Sequence, residues 1–199
     1  MLELNNYYIH EIENLTDLFT NIFVIIDDIY NEIIPMSIKN RRNIKDSKLY
    51  DSEIITISIV GELLTIDSEK SFFSLLKREY KSLFPSLGDR TRFNRTKRNL
   101  HSVISKIIEY VSETLQFSSN NVRIIDSMPI PVCKFRRRIE TKFSQLTEQL
   151  NLNNVKSKSM IGFITRTSIK ALAHNISFLI NKLMGNDESI AKIKRLAFG

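Results

Sequence analysis

The sequence predicts a mostly α-helical protein with one or two short strands beyond its midpoint. Three features carry that prediction. Only 5 Gly and 4 Pro punctuate 199 residues, so regular elements are long and tight turns few. Ile and Leu recur at three-to-four spacing over most of the chain, the period of one helix face. The exception is Val122 to Phe135: Val122, Ile124 and Ile125 read as a strand ending at Asp126, and Ile130 to Phe135 as its antiparallel return. Pro129 and Pro131 hold that return to an edge or an irregular path.

Taken in order, the first element runs from Glu11 to Ile33. Ile12, Leu15, Leu18, Phe19, Ile22, Phe23, Ile26, Ile29, Tyr30 and Ile33 form one apolar stripe, and Pro35 ends the helix. Lys39 to Lys48 is a basic, polar connector. Asp51 is a good N-cap for a second helix running through Leu64. A third is expected from Asp67 to about Tyr80, with Glu69 in its first turn favouring the helix dipole. Pro85 and Gly88 make Leu83 to Gly88 a loop. Asp89 then caps one long helix reaching about Phe117, in which Phe93, Leu100, Ile104, Ile107 and Val111 share a side. After the polar turn Ser118 to Asn121 and the strand region, Ile139, Phe143, Leu146 and Leu150 form another helical stripe. A last helix spans about Lys158 to Met184, with Phe163, Ile164, Ile176, Leu179, Ile180 and Leu183 facing mainly inward.

Composition narrows the functional classes. Hydrophobic residues at 42% and charged residues at 26% belong to a globular protein rather than a disordered one. A single cysteine, Cys133, excludes an internal disulfide and a Cys-rich zinc site. The N-terminus carries Glu3 and His10 and lacks the basic-then-apolar pattern of a secretory signal. The most apolar stretch, Ile54 to Ile66, is too short for a membrane span and contains Glu62. A cytoplasmic protein without a membrane partner is expected.

Charge narrows them further. The net charge of +7 is spread unevenly. Acidic residues gather at the start, around Glu11, Glu13, Asp17, Asp27 and Asp28, and basic ones at Lys39 to Lys48, Arg90 to Arg98, Arg136 to Lys142 and the tail. Such asymmetry points to a polyanionic partner. Short helices followed by one with an arginine-rich start suit a helix-turn-helix-like DNA reader, whose apolar face is held while its exposed face meets phosphates and groove edges. Arg90, Arg92, Arg95, Lys97 and Arg98 supply the cations, and Asn94 can read or position a base. The alternative is a bundle helix with a solvated basic face.

Several segments carry a resemblance to a known family. They are Asp51-Ser-Glu-Ile-Ile-Thr-Ile, Gly61-Glu-Leu-Leu, Ile66-Asp-Ser-Glu-Lys-Ser-Phe-Phe, Leu83-Phe-Pro with Arg90-Thr-Arg-Phe-Asn-Arg, Ile124-Ile-Asp-Ser-Met-Pro-Ile-Pro-Val-Cys-Lys, Ile139-Glu-Thr-Lys-Phe-Ser-Gln-Leu-Thr-Glu-Gln and Ala171-Leu-Ala-His-Asn. Together they resemble transposases of the bacterial insertion-sequence family numbered nine-eighty-two, whose catalytic domain is RNase H-like and of the DDE type. The resemblance covers nearly the whole chain, and the strand ending in Asp-Ser-Met-Pro-Ile-Pro-Val-Cys is its most specific part.

The resemblance implies a helical DNA-binding region over residues 1–118 and a shortened RNase H-like domain over 119–199. In such enzymes acidic side chains hold two Mg²⁺ ions about 4 Å apart, which activate the attacking hydroxyl and stabilise the leaving oxygen. By resemblance Asp126 is the first of these acids and metal ligands and Glu140 the last. Only fourteen positions separate them, and no acidic residue lies from Ser127 through Ile139, where the family's second Asp belongs. The implied protein therefore descends from a transposase and is expected neither to hold Mg²⁺ productively nor to cut or join DNA. Its implied partners are the terminal inverted repeats of an insertion sequence, and a second copy or an intact transposase. A non-catalytic helix-turn-helix repressor of transposition is the alternative, and a purely structural assembly protein a third. His174 and Asn175, on a helix rich in apolar residues, read as structural.

Overall fold

The computed structural model describes residues 7, 12–41, 48–66, 68–115, 143–186 and 193. Among the described residues every regular element is helical. Helix α1 (Leu15–Ile33) starts where the Asn14 side chain accepts the Asp17 amide, and its stripe of Leu18, Phe19, Ile22, Ile26 and Ile29 is buried. Ile34 leaves the helix in extended geometry, as the residue before a proline must. One helical turn, α2 (Met36–Lys39), follows Pro35.

Helix α3 (Asp51–Leu63) is apolar around most of its circumference, with Ile54, Ile55, Ile57, Ile59 and Val60 all buried. A helix of that kind belongs in the middle of a core. It packs against α1 on one side, and against α5 (Arg90–Asn99) and α7 (Met160–Leu183) on others. Helix α6 (His101–Thr114) lies against α7 and α1 and completes the bundle. Helix α4 (Glu69–Glu79) approaches α3 closely enough that a Cβ on Gly61 would lie 2.8 Å from Cε1 of the buried Phe72. A π-helical turn (Gln145–Gln149) and a 3-10 turn (Leu152–Asn154) lead into α7. Buried side chains from α1, α3, α4, α5, α6 and α7 join in one hydrophobic cluster. The boundary expected at 118/119 lies outside the described residues, and helices on both sides of it contribute to that cluster.

Several element boundaries differ from expectation, each for a local reason. Helix α1 begins at Leu15 rather than Glu11, because Asn14 provides the cap. Tyr50, not Asp51, occupies the N-cap of α3, and its amide donates to Glu53 Oε2 at 2.6 Å. Asp51 is instead buried, accepting both Arg41 nitrogens and the Tyr30 hydroxyl. Burial, then the bond to Asp51, raises the Tyr30 hydroxyl above its ordinary pKa, and the Asp51 partner raises Arg41. Ser68 caps α4, which therefore starts at Glu69 instead of Asp67. The long helix expected from Asp89 is broken at Leu100, whose buried side chain sits between α5 and α6 in a non-helical backbone conformation. Its Phe93, Leu100, Ile104, Ile107 and Val111 are buried together, as the spacing predicts.

The inward assignment on α7 fails at two positions, and Phe143 of the preceding stripe is exposed as well. Phe163 and Ile164 on α7 are 47% and 46% exposed and Phe143 is 53% exposed, whereas Ile176, Leu179 and Ile180 are fully buried. Met160 and Ile161 at the start of α7 are exposed with them, and burial begins at Thr165 and Arg166. The expected strands at 122–126 and 130–135, together with Cys133, Asp126 and Glu140, lie outside the described residues.

Candidate nucleic-acid interface

Helix α5 is held in place from three directions. Asp89 caps it, accepting the Thr91 and Arg92 amides at 2.8 and 3.3 Å. Those two bonds hold the Asp89 carboxyl below the usual carboxylate range. Phe93 sits in the core against Phe73 of α4, ring centroids 5.4 Å apart. Glu69, at the start of α4, accepts Asn94 Nδ2 at 2.7 Å and Lys97 Nζ at 2.8 Å, and lies 4.0 Å from Arg90 Nη1. Burial opposes ionisation of Glu69, but the Lys97 charge and the bonds from Lys97 and Asn94 together hold it below its ordinary range.

The six residues expected to meet DNA therefore divide in two. Asn94 and Lys97 face α4 and are committed to Glu69, with Lys97 only 13% exposed. Arg90, Arg92, Arg95 and Arg98 are exposed. Along a helix turning 100° per residue, Arg92 and Arg95 project from one flank while Arg90 and Arg98 share the flank of Asn94 and Lys97. Arg98 Nε donates to the Asn94 carbonyl at 3.3 Å, which steadies its stem. Lys48 lines the same shallow depression as Arg92, so the connector before α3 adds charge to that flank.

The other flank opens into a cleft that sequence reasoning missed. Arg90, Lys97 and Arg98 of α5 face Lys156 and Lys158 of the turn before α7, and Arg166 of α7, across about 690 Å³. Among the described residues Glu69 is the one carboxylate in the lining. Arg166 is tied to Glu62 of α3 at 3.1 Å, and the buried Lys170 reaches the same carboxylate and the Leu150 carbonyl. The signal available in the sequence was the run Lys156-Ser157-Lys158-Ser159, but nothing local tells that it faces an arginine 58 positions earlier.

His174 is buried, with Nε2 3.2 Å from Gln145 Oε1 and its ring against Phe178. Asn175 donates to Ser112 Oγ at 3.1 Å and so ties α7 to α6. Both are structural, as expected. Among the described residues no three His, Cys, Asp or Glu side chains converge as a metal site. The Mg²⁺ ligands implied by resemblance, Asp126 and Glu140, lie outside those residues. No described helix is long and apolar enough to cross a membrane. Comparison with family models, with curated proteins and with solved structures returns no match for the chain.

Proposed function

We propose that the chain is a DNA-binding protein of insertion-sequence transposase descent that holds DNA without cutting it. The observation that carries DNA binding is the mounting of α5: a rigidly held helix presenting Arg92, Arg95 and Arg98 to solvent. A helix about 10–12 Å across with its side chains fits a major groove about 12 Å wide, and ten residues offer about 15 Å of it to lie there. Guanidinium groups grip phosphates or guanine edges, and contacts with phosphate release counterions. The connection 80–89 between α4 and α5 is longer than the roughly three- to four-residue turn of a tight helix-turn-helix, so α5 would act as the reader of a looser helical pair.

Transposase descent is supported by the sequence resemblance alone, and the lack of cleavage by the missing acid between Asp126 and Glu140. The ligands would be terminal inverted repeats of an insertion sequence in a bacterial cytoplasm. A protein that occupies those ends without processing them would repress an intact transposase there.

Fluorescence anisotropy with labelled element ends, across a salt series with Mg²⁺ present, tests both parts. Replacing Arg92, Arg95 and Arg98 together with Ala should abolish binding and flatten its salt dependence. Unchanged affinity would overturn DNA binding through α5, and nicked or joined product would overturn the absence of catalysis.

A further inference from the structure

We propose that the cleft between α5 and the start of α7 is a phosphate seat that, resting on the DNA-binding reading, takes a backbone phosphodiester of the bound strand. Four exposed cations from two separate parts of the chain, Arg90, Arg98, Lys156 and Lys158, meet there. Among the described residues Arg98, Lys156 and Lys158 carry no ion pair, and Arg90 has only the 4.0 Å approach to Glu69. Like charges gathered in one concave site repel one another, and an anion placed between them removes that penalty. The two remaining cations, Lys97 and Arg166, already have carboxylate partners, so the cleft keeps a positive surplus.

The turn that delivers the lysines is built for the position. Ser157 Oγ donates to the Ser159 carbonyl at 2.9 Å, and Ser159 Oγ accepts the Gly162 amide at 3.1 Å. The Ser157 hydroxyl proton is thus spent on the turn, while Ser159 keeps an O–H that can donate to an oxyanion beside the lysine charges. A Cβ at Gly162 would lie 2.6 Å from Ser157 Oγ and 3.9 Å from Arg98 Cδ. Glycine here lets the turn fold back on α7 beside α5. No aromatic side chain lines the cleft among the described residues, so it offers no platform for a base. Such a site recognises phosphate and not sequence.

The test uses the full chain and the double substitution Lys156→Ala with Lys158→Ala, at exposed turn positions. DNA affinity should fall about tenfold and the log–log salt slope should become shallower by about 1–2, with Lys→Arg at both positions restoring each. In the wild-type protein, inorganic pyrophosphate should shift the Gly162 amide resonance, and the alanine variant should lose that shift. Unchanged DNA affinity and slope would overturn the seat while leaving α5 as the DNA reader. A pyrophosphate shift that survives in the alanine variant would also overturn it. Absence of DNA binding by the wild type, with the pyrophosphate shift intact and lost in the variant, would support the seat but assign it to a free phosphate ligand and overturn the DNA-binding reading.

Discussion

Lys158, in the turn before α7, and Lys170, near the middle of α7, lie twelve residues apart and carry the same charge, yet they have opposite fates. Lys170 is 2% exposed, locked to Glu62 of α3 and to the Leu150 carbonyl. Lys158 stands in water with no carboxylate beside it among the described residues. The difference lies in what other helices bring. Glu62 and Glu69 are acids that α3 and α4 send toward α5 and α7, and the cations they hold in close ion pairs, Lys97, Arg166 and Lys170, become parts of the scaffold. Cations beyond their reach remain available to a polyanion.

The strongest way to break this comparison is Lys170→Ala. It would leave Glu62, its side chain 12% exposed, with one partner fewer and strip the Leu150 carbonyl of its donor. Removing one member of such a buried network costs about 3–5 kcal/mol, visible in urea unfolding. Lys158→Ala should change stability by no more than about 0.5 kcal/mol. Equal losses at the two positions would show that burial does not separate the two classes.

A smaller effect is expected at Gly162. Its substitution by Ala forces Ser157 Oγ away and breaks the bond to the Ser159 carbonyl. The loss should be about 1 kcal/mol, because a serine hydroxyl can rotate and the site is exposed. Amide exchange should quicken at residues 157–159 while the middle of α7 keeps its protection. Loss of protection throughout α7 would mean that the turn supports the core as well as the cleft.

How much of this was legible in sequence depends on the range of each interaction. The stripe of α1, its stop before Pro35 and the Asp89 cap rest on near neighbours and are readable. So is the common face of Phe93 to Val111, since the interruption at Leu100 preserves the facing of the buried positions. The break itself has no Gly or Pro to announce it; on either side of it both helices meet α7, while α5 also packs on α3 and α6 on α1. The buried charges were hidden because Glu62 lies 104 and 108 positions from Arg166 and Lys170. For the same reason Asn94 and Lys97 looked available to DNA, when an acid 25 and 28 positions earlier already engages them. Phe163 and Ile164 were placed inward by period alone, which cannot tell where the covering helices end.

Glu69 allows the finest test, because it stands on the border between the two classes. It lines the cleft and also fastens α4 to α5, with its side chain 39% exposed. Its carboxyl ionises more readily in the folded protein than its ordinary value of 4.5. A depressed carboxylate contributes stability that is fully present above that ordinary value and is lost as pH falls through the lower, folded one. Wild-type protein should therefore be more stable than Glu69→Gln at neutral pH, with the gap closing as the pH is taken below about 4.5 in denaturant titrations. Solvent screens a side chain this exposed, so the gap should be the smallest of these effects. The same variant frees Lys97 and adds positive charge to the cleft, so DNA affinity should rise at low salt as stability falls. A gap that persists unchanged in acid would assign Glu69's share of the α4–α5 lock to neutral hydrogen bonds, and Lys97 would then count as available rather than structural.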